Sequence, residues 1–131
     1  GAYLKRRSNL IFIGQQSGTI EARDLELCFE EMMENLKLIG INTGCFVNCG
    51  EKLSMWAATS IFDFYEYVIE TSFNCLSAIM VRVYKSNSSL FVCIEAAAAK
   101  DLKEILDKNI TIQVDEDGIF QIFLKLQGGA E

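Results

Sequence analysis

The chain has no histidine and no proline among its 131 residues. Without histidine, this polypeptide carries no Ser-His or Cys-His nucleophile pair, no phosphohistidine of its own, and none of the commonest zinc ligand. Without proline, breaks between elements must be read from Gly, Asn, Ser and Asp clusters. Cations are scarce too: 12 Lys and Arg against 18 Asp and Glu leave a formal net charge of -6. That balance argues against a nucleic-acid partner, because phosphate backbones demand clustered Lys and Arg. Lys5-Arg6-Arg7 is the single basic run and reads as a solvated end of an element. No apolar run approaches the roughly 20 residues a membrane helix needs, and no signal-peptide pattern opens the chain. The expectation is a cytoplasmic piece with no direct membrane insertion, compatible with the cytoplasmic part of a membrane-anchored parent. Gly1-Ala2 stands where an initiator Met would, so the first residues carry little weight.

What is present is core. Half of the residues are hydrophobic (50%) and only 23% are charged, enough for one compact domain over residues 1–131. Five cysteines, Cys28, Cys45, Cys49, Cys75 and Cys93, are an odd number in apolar surroundings and read as reduced, core-filling thiols. Cys45 and Cys49 are the only close pair, and with no second pair a zinc site is not expected.

Along the chain, Tyr3 to Ile13 fits either a buried strand or the end of an upstream helical segment reaching to about residue 20. Gly14 to Gly18 is a turn. From Glu21 to Ile39 apolar residues at Leu25, Cys28, Phe29, Met32, Leu36 and Ile39 follow helical spacing, with Thr19 as a candidate cap and Gly40 as the stop. Ile41 to Asn48 reads as a strand. The longest apolar-periodic helix, about Met55 to Leu76, carries Ile61, Tyr65, Val68, Ile69, Ser72 and Leu76 on one stripe. Ala78 to Tyr84 and Leu90 to Glu95 alternate as two strands joined by a turn at Lys85 to Ser89. A short helix over Lys100 to Asp107 leads to strands Asn109 to Val114 and Ile119 to Leu126, with Asp115-Glu116-Asp117-Gly118 as the hairpin turn. This order predicts an α+β two-layer sandwich, a mixed and mostly antiparallel sheet covered on one face by helices. Trp56 and Phe62 read as core or helix-entry packing, and Met32 and Met33 as core filler. The tract Ala96 to Ala99 reads as the start of the Lys100 helix, by its high helix propensity.

The stretch from Ile61-Phe-Asp-Phe-Tyr-Glu-Tyr-Val-Ile-Glu to Ile79-Met-Val-Arg-Val resembles the central helix and following strand of the ATP-binding domain of bacterial sensor histidine kinases, the Bergerat or GHKL fold. Leu102 to Val114 with Asp117 to Leu126 is similar to that family's last helix and closing hairpin. Arg23 to Asn48 is similar to the helix and strand that join its dimerisation helices to the domain. The resemblance covers residues 21–131 and rests on pattern more than on motif letters.

Carried over residue by residue, the resemblance places Glu66 where the family has a glutamate acting as general base or orienting water. Glu70 falls where the family holds Mg²⁺ through an asparagine, and a carboxylate can ligate Mg²⁺ as well. Asn74 stands one turn further along the same helix. Ala96-Ala97-Ala98 occupy the position of the family's Asp-x-Gly-x-Gly loop, whose Asp accepts a hydrogen bond from adenine. Alanine offers no such acceptor, and Ala99-Lys100-Asp101 enters the next helix where the family has a long lid. The resemblance thus implies a signalling domain of degenerate form, contacting a protein partner or a response-regulator-like protein, with a homodimer through upstream helices and no cofactor. Its alternative is a working kinase domain that uses ATP and Mg²⁺. Without the resemblance, Glu66 and Glu70 are two solvated acids one turn apart, mildly unfavourable to each other.

Overall fold

The computed structural model describes residues 18–127, so the readings of Tyr3 to Ile13 and Lys5-Arg6-Arg7 lie outside the described residues. Within them, strand β1 (Thr19–Glu21) leads directly into helix α1 (Ala22–Leu38), followed by β2 (Asn42–Asn48) and β3 (Lys52–Ser54). Helix α2 (Met55–Ser72) and a 3₁₀ turn (Phe73–Cys75) precede β4 (Leu76–Ser86) and β5 (Ser89–Ala98). Helix α3 (Leu102–Ile105), β6 (Thr111–Val114) and β7 (Phe120–Gln127) close the domain.

Five strands form one sheet in the order β2-β4-β5-β7-β6. Only β2 and β4 run parallel, because α2 carries the chain back between them. The hairpins β4-β5 and β6-β7 and the β5-β7 pair are antiparallel. Strands β1 and β3 pair separately as a small antiparallel ribbon, which three-residue segments with no alternation could not announce.

Each helix is bounded by local chemistry. Helix α1 ends in a Schellman arrangement: Gly40 N–H donates to the Lys37 carbonyl at 3.0 Å and Ile41 N–H to that of Leu36 at 3.0 Å, with Gly40 at φ +89°. Its start is not capped by Thr19, which lies in β1; Glu21 is the capping position and makes no side-chain bond there. Helix α2 starts at Ser54, whose Oγ accepts from Ala57 N–H at 3.1 Å. The α2 stripe is buried as its spacing predicts, from Ile61 through Tyr65, Val68, Ile69 and Ser72 to Leu76 at the start of β4. Against it lie the inward rows of the sheet: Ile79, Val81 and Val83 of β4, then Leu90, Val92, Ile94 and Ala96 of β5, and Ile122 of β7. Phe29 of α1 meets Tyr65 edge-on at 5.0 Å and Phe62 at 6.1 Å, tying the two helices together.

Two expectations are corrected. Ala96-Ala97-Ala98 continue β5, paired with Ile79, Ala78 and Leu76 of β4, because ladder bonds to a formed neighbour outweigh helix propensity. Trp56, in the first turn of α2, is 57% exposed and does not pack in the core, although Phe62 does.

Candidate functional site

Glu66 lies in the middle of α2 with Phe62 and Ile69, both buried, on its own face one turn to either side. Only 8% of Glu66 is exposed. The reading of two solvated acids is therefore corrected: Glu70 is exposed, but its neighbour is not. Burial first, then a side-chain hydrogen bond with Glu70, then the charges of Glu70 and Asp63 push the Glu66 pKa from 4.5 up to about 7. Two carboxyls can share such a bond only while one holds a proton. Glu66 Oε2 has no hydrogen-bond partner among the described residues. The result is a carboxyl that exchanges a proton near neutrality, the property a general base needs.

Around it the helix is tied down. Ser72 Oγ donates to the Val68 carbonyl at 2.6 Å. Tyr67, one residue past Glu66, accepts at its hydroxyl from Asp107 N–H at 2.9 Å, which fastens the chain following α3 to α2. Leu102 and Leu106 on either side of that turn are buried. Sequence reasoning missed Tyr67, since a half-exposed tyrosine beside a candidate acid carries no spacing signal. Asn74 sits in the exposed 3₁₀ turn past the end of α2.

Ala96 is 1% exposed and faces the helical layer from β5. Ala98 is the last residue of β5, Ala99 N–H donates to the Cys75 carbonyl at 2.8 Å, and α3 begins at Leu102. Asp101 caps α3 by accepting from Lys103 N–H at 3.0 Å. Three residues thus connect β5 to α3, with Ala99 held against Cys75 and Asp101 starting the next helix. At Ala96, Ala97 and Ala98 the side chains offer no hydrogen-bond acceptor. Among the described residues, no group of three or more acidic or cysteine side chains converges as a metal-binding set. Cys45 and Cys49 are free thiols; burial, with the charges of Glu26 and Glu30, pushes Cys45 up to about 12, and burial also raises Cys49.

Three cavities lie elsewhere. One of about 410 Å³ is bounded by Glu21, Arg23, Glu26, Glu51 and Lys52, beside the β1-β3 ribbon. Two others, about 290 and 700 Å³, open on the sheet face turned away from the helices. None of the three is lined by Glu66, Glu70, Asn74 or Ala96. The outer sheet face was also missed from the sequence, although a signal existed: Met80, Arg82 and Tyr84 alternate with the core residues of β4, and Phe91 and Phe123 stand where a solvated sheet would carry polar side chains.

The parallel β2-β4 pair, the β4-β5 and β6-β7 hairpins and the single helical layer define the class: this is the GHKL fold of histidine kinase ATPase domains. The catalytic domain of histidine kinase ThkA, in a nucleotide-free form, is similar at TM-score 0.56 and 10% identity, covering 84% of this chain and 94% of that one. The histidine kinase domain of the blue-light activated histidine kinase EL346 from Erythrobacter litoralis is similar at TM-score 0.58 and 13% identity, covering 95% and 74%. The Acinetobacter baumannii histidine kinase AdeS follows at TM-score 0.53 and 12% identity, covering 95% and 75%. No family model and no curated protein matches the chain by sequence.

Proposed function

We propose that this chain is a histidine-kinase-like domain of a bacterial signal-transduction protein that works through protein contacts without binding or hydrolysing ATP. The observation that carries the reading is the passage from β5 to α3. Where a nucleotide site needs an acceptor and a long covering loop, an alanine strand ends and a three-residue link begins a capped helix. The partner is a protein of a two-component pathway, such as one resembling a response regulator, and no cofactor is required.

A second reading has its own support. Glu66, held near neutrality beside Glu70, is equipped as a general base, and Glu70 is open to solvent for Mg²⁺. On that reading the domain binds Mg-ATP by other means and phosphorylates a histidine outside this chain.

Calorimetric titration of the purified chain with Mg-ATP, paired with a thermal-shift assay, separates the two, because a ligand that binds only the folded state must raise its stability. The expected outcome is no saturable heat and no shift at several millimolar. Saturable binding in the micromolar to low-millimolar range would overturn the non-catalytic reading.

A further inference from the structure

The sheet face turned away from the helices is apolar where its neighbours would predict polarity. Tyr84 and Phe91 stack across β4 and β5 at 5.4 Å and 12° between ring planes, and Lys125 Nζ lies 5.6 Å over the Phe91 ring. In the next row Phe46, 57% exposed, flanks Arg82, which is paired through β5 with Cys93 and on to Phe123 of β7. One row further, Met80 lies across Gly44, whose missing side chain makes room for it: a Cβ there would stand 3.1 Å from Met80 Cε. Arg82 Nε meets Glu95 Oε1 at 3.1 Å near the middle of the face. The cavity of about 700 Å³ runs over these residues.

Charge is segregated around this surface. Glu95 is the only acid among the face residues of β2, β4, β5 and β7, although the chain carries 18 acids. The others lie in β1 (Glu21), on α1, α2, α3 and the turns, or outside the described residues. With Arg82 and Lys125 the face carries a net charge of +1 on a chain of net -6. Across this surface two acidic copies can approach without facing acid against acid.

We infer that this face is the contact between two copies of the chain, packed sheet to sheet. Self-complementarity favours a second copy over an unrelated protein, and size and composition agree with an interface. A two-fold contact must be self-complementary, and the charges at the middle of this face, Arg82 and Glu95, are already paired within each chain at 3.1 Å, so that two copies can meet there with neither charge left unpaired. Five strands about 4.8 Å apart, at about 3.3 Å per residue, give a face whose accessible area is on the order of 800 Å², close to what each partner of a stable complex buries. Its composition, aromatic residues, Met and Arg with few acids, is that of an interface core. This contact is independent of any pairing through helices upstream and of whether ATP binds.

The test is the mass of the full 131-residue chain, measured by light scattering and sedimentation from about 1 to 200 µM at physiological salt. The expected result is a rise from 14.7 kDa toward twice that value across this range. Phe46→Glu and Tyr84→Glu, at exposed positions, are each expected to weaken association at least tenfold with unchanged circular dichroism. Leu38→Glu, at the exposed end of α1, is expected to leave it intact. A mass of 14.7 kDa at every concentration overturns the inference. A dimer that survives both Phe46→Glu and Tyr84→Glu overturns it equally, and places the contact elsewhere.

Discussion

At the scale of the residue, Glu66 is where burial and chemistry conflict. A carboxyl raised to about 7 in the folded state, against about 4.3 in the unfolded chain, keeps its proton through a pH window in which the unfolded chain has lost its own. The unfolded state then binds fewer protons than the native one, so stability falls as pH rises from about 4.5 to about 7 and the loss is complete above that. Glu66→Gln keeps the shape and can donate to Glu70, and it removes this dependence. The substitution is expected to stabilise the protein at pH 8 by about 1–2 kcal/mol, reduced from the full linkage because Glu70 beside it is open to water. Urea unfolding at pH 5 and pH 8 would show the difference between variant and parent growing with pH; a difference that is constant would mean Glu66 is not protonated in the fold. The spacing of Glu66 and Glu70 was legible from the sequence. Their unequal burial was not, because it depends on how α2 is rolled about its axis against the sheet.

At the scale of the element, the helices and their ends were read within a few residues where local signals agree. Gly40 is the clearest case, since glycine after an apolar-periodic run predicts a left-handed stop and the structure places it at φ +89°. No heavy atom stands within 4 Å of where its Cβ would be, so Gly40→Ala strains the backbone without a clash. A loss of about 1 kcal/mol is expected from equilibrium denaturation with an unchanged m-value. Turns were equally readable: Asp115 accepts from both Asp117 and Ile119 N–H at 2.9 Å, as its place before Glu-Asp-Gly suggests. Failure came where local preference and long-range pairing disagree. The alanines after Glu95 prefer helix in isolation, but β4 extends to Leu76 and offers them a ladder. The ribbon of β1 and β3 escaped for the same reason, its three-residue strands being defined only by each other. Edge strand β2 is partly shielded by α1, where the Glu26 carboxylate accepts from Val47 N–H at 3.3 Å, a contact across 21 residues that no local pattern encodes.

At the scale of the whole molecule, the excess of acid is a cost of keeping this chain compact. A net charge of -6 concentrated on the helices and turns repels itself, and salt screens that repulsion over about 10 Å at 0.1 M. Raising NaCl from about 20 to about 500 mM is expected to raise the unfolding temperature by a few degrees, measured at a concentration low enough to keep the chain monomeric; no change or a fall would mean that attractive ion pairs dominate. Ion pairs such as Lys37-Glu34 at 3.5 Å and Arg82-Glu95 at 3.1 Å act in the opposite sense and weaken as salt rises. The sequence by itself determined the composition of the two layers and the order of the main elements, because periodicity, caps and turn residues are properties of neighbouring positions. Only the tertiary structure decided that Glu66 is shut from water, that the alanine tract is strand, that Tyr67 holds the chain after α3, and that Phe46, Tyr84, Phe91 and Phe123 share one sheet face. Each of these depends on which distant segment stands alongside, and burial and strand pairing are settled by that neighbour.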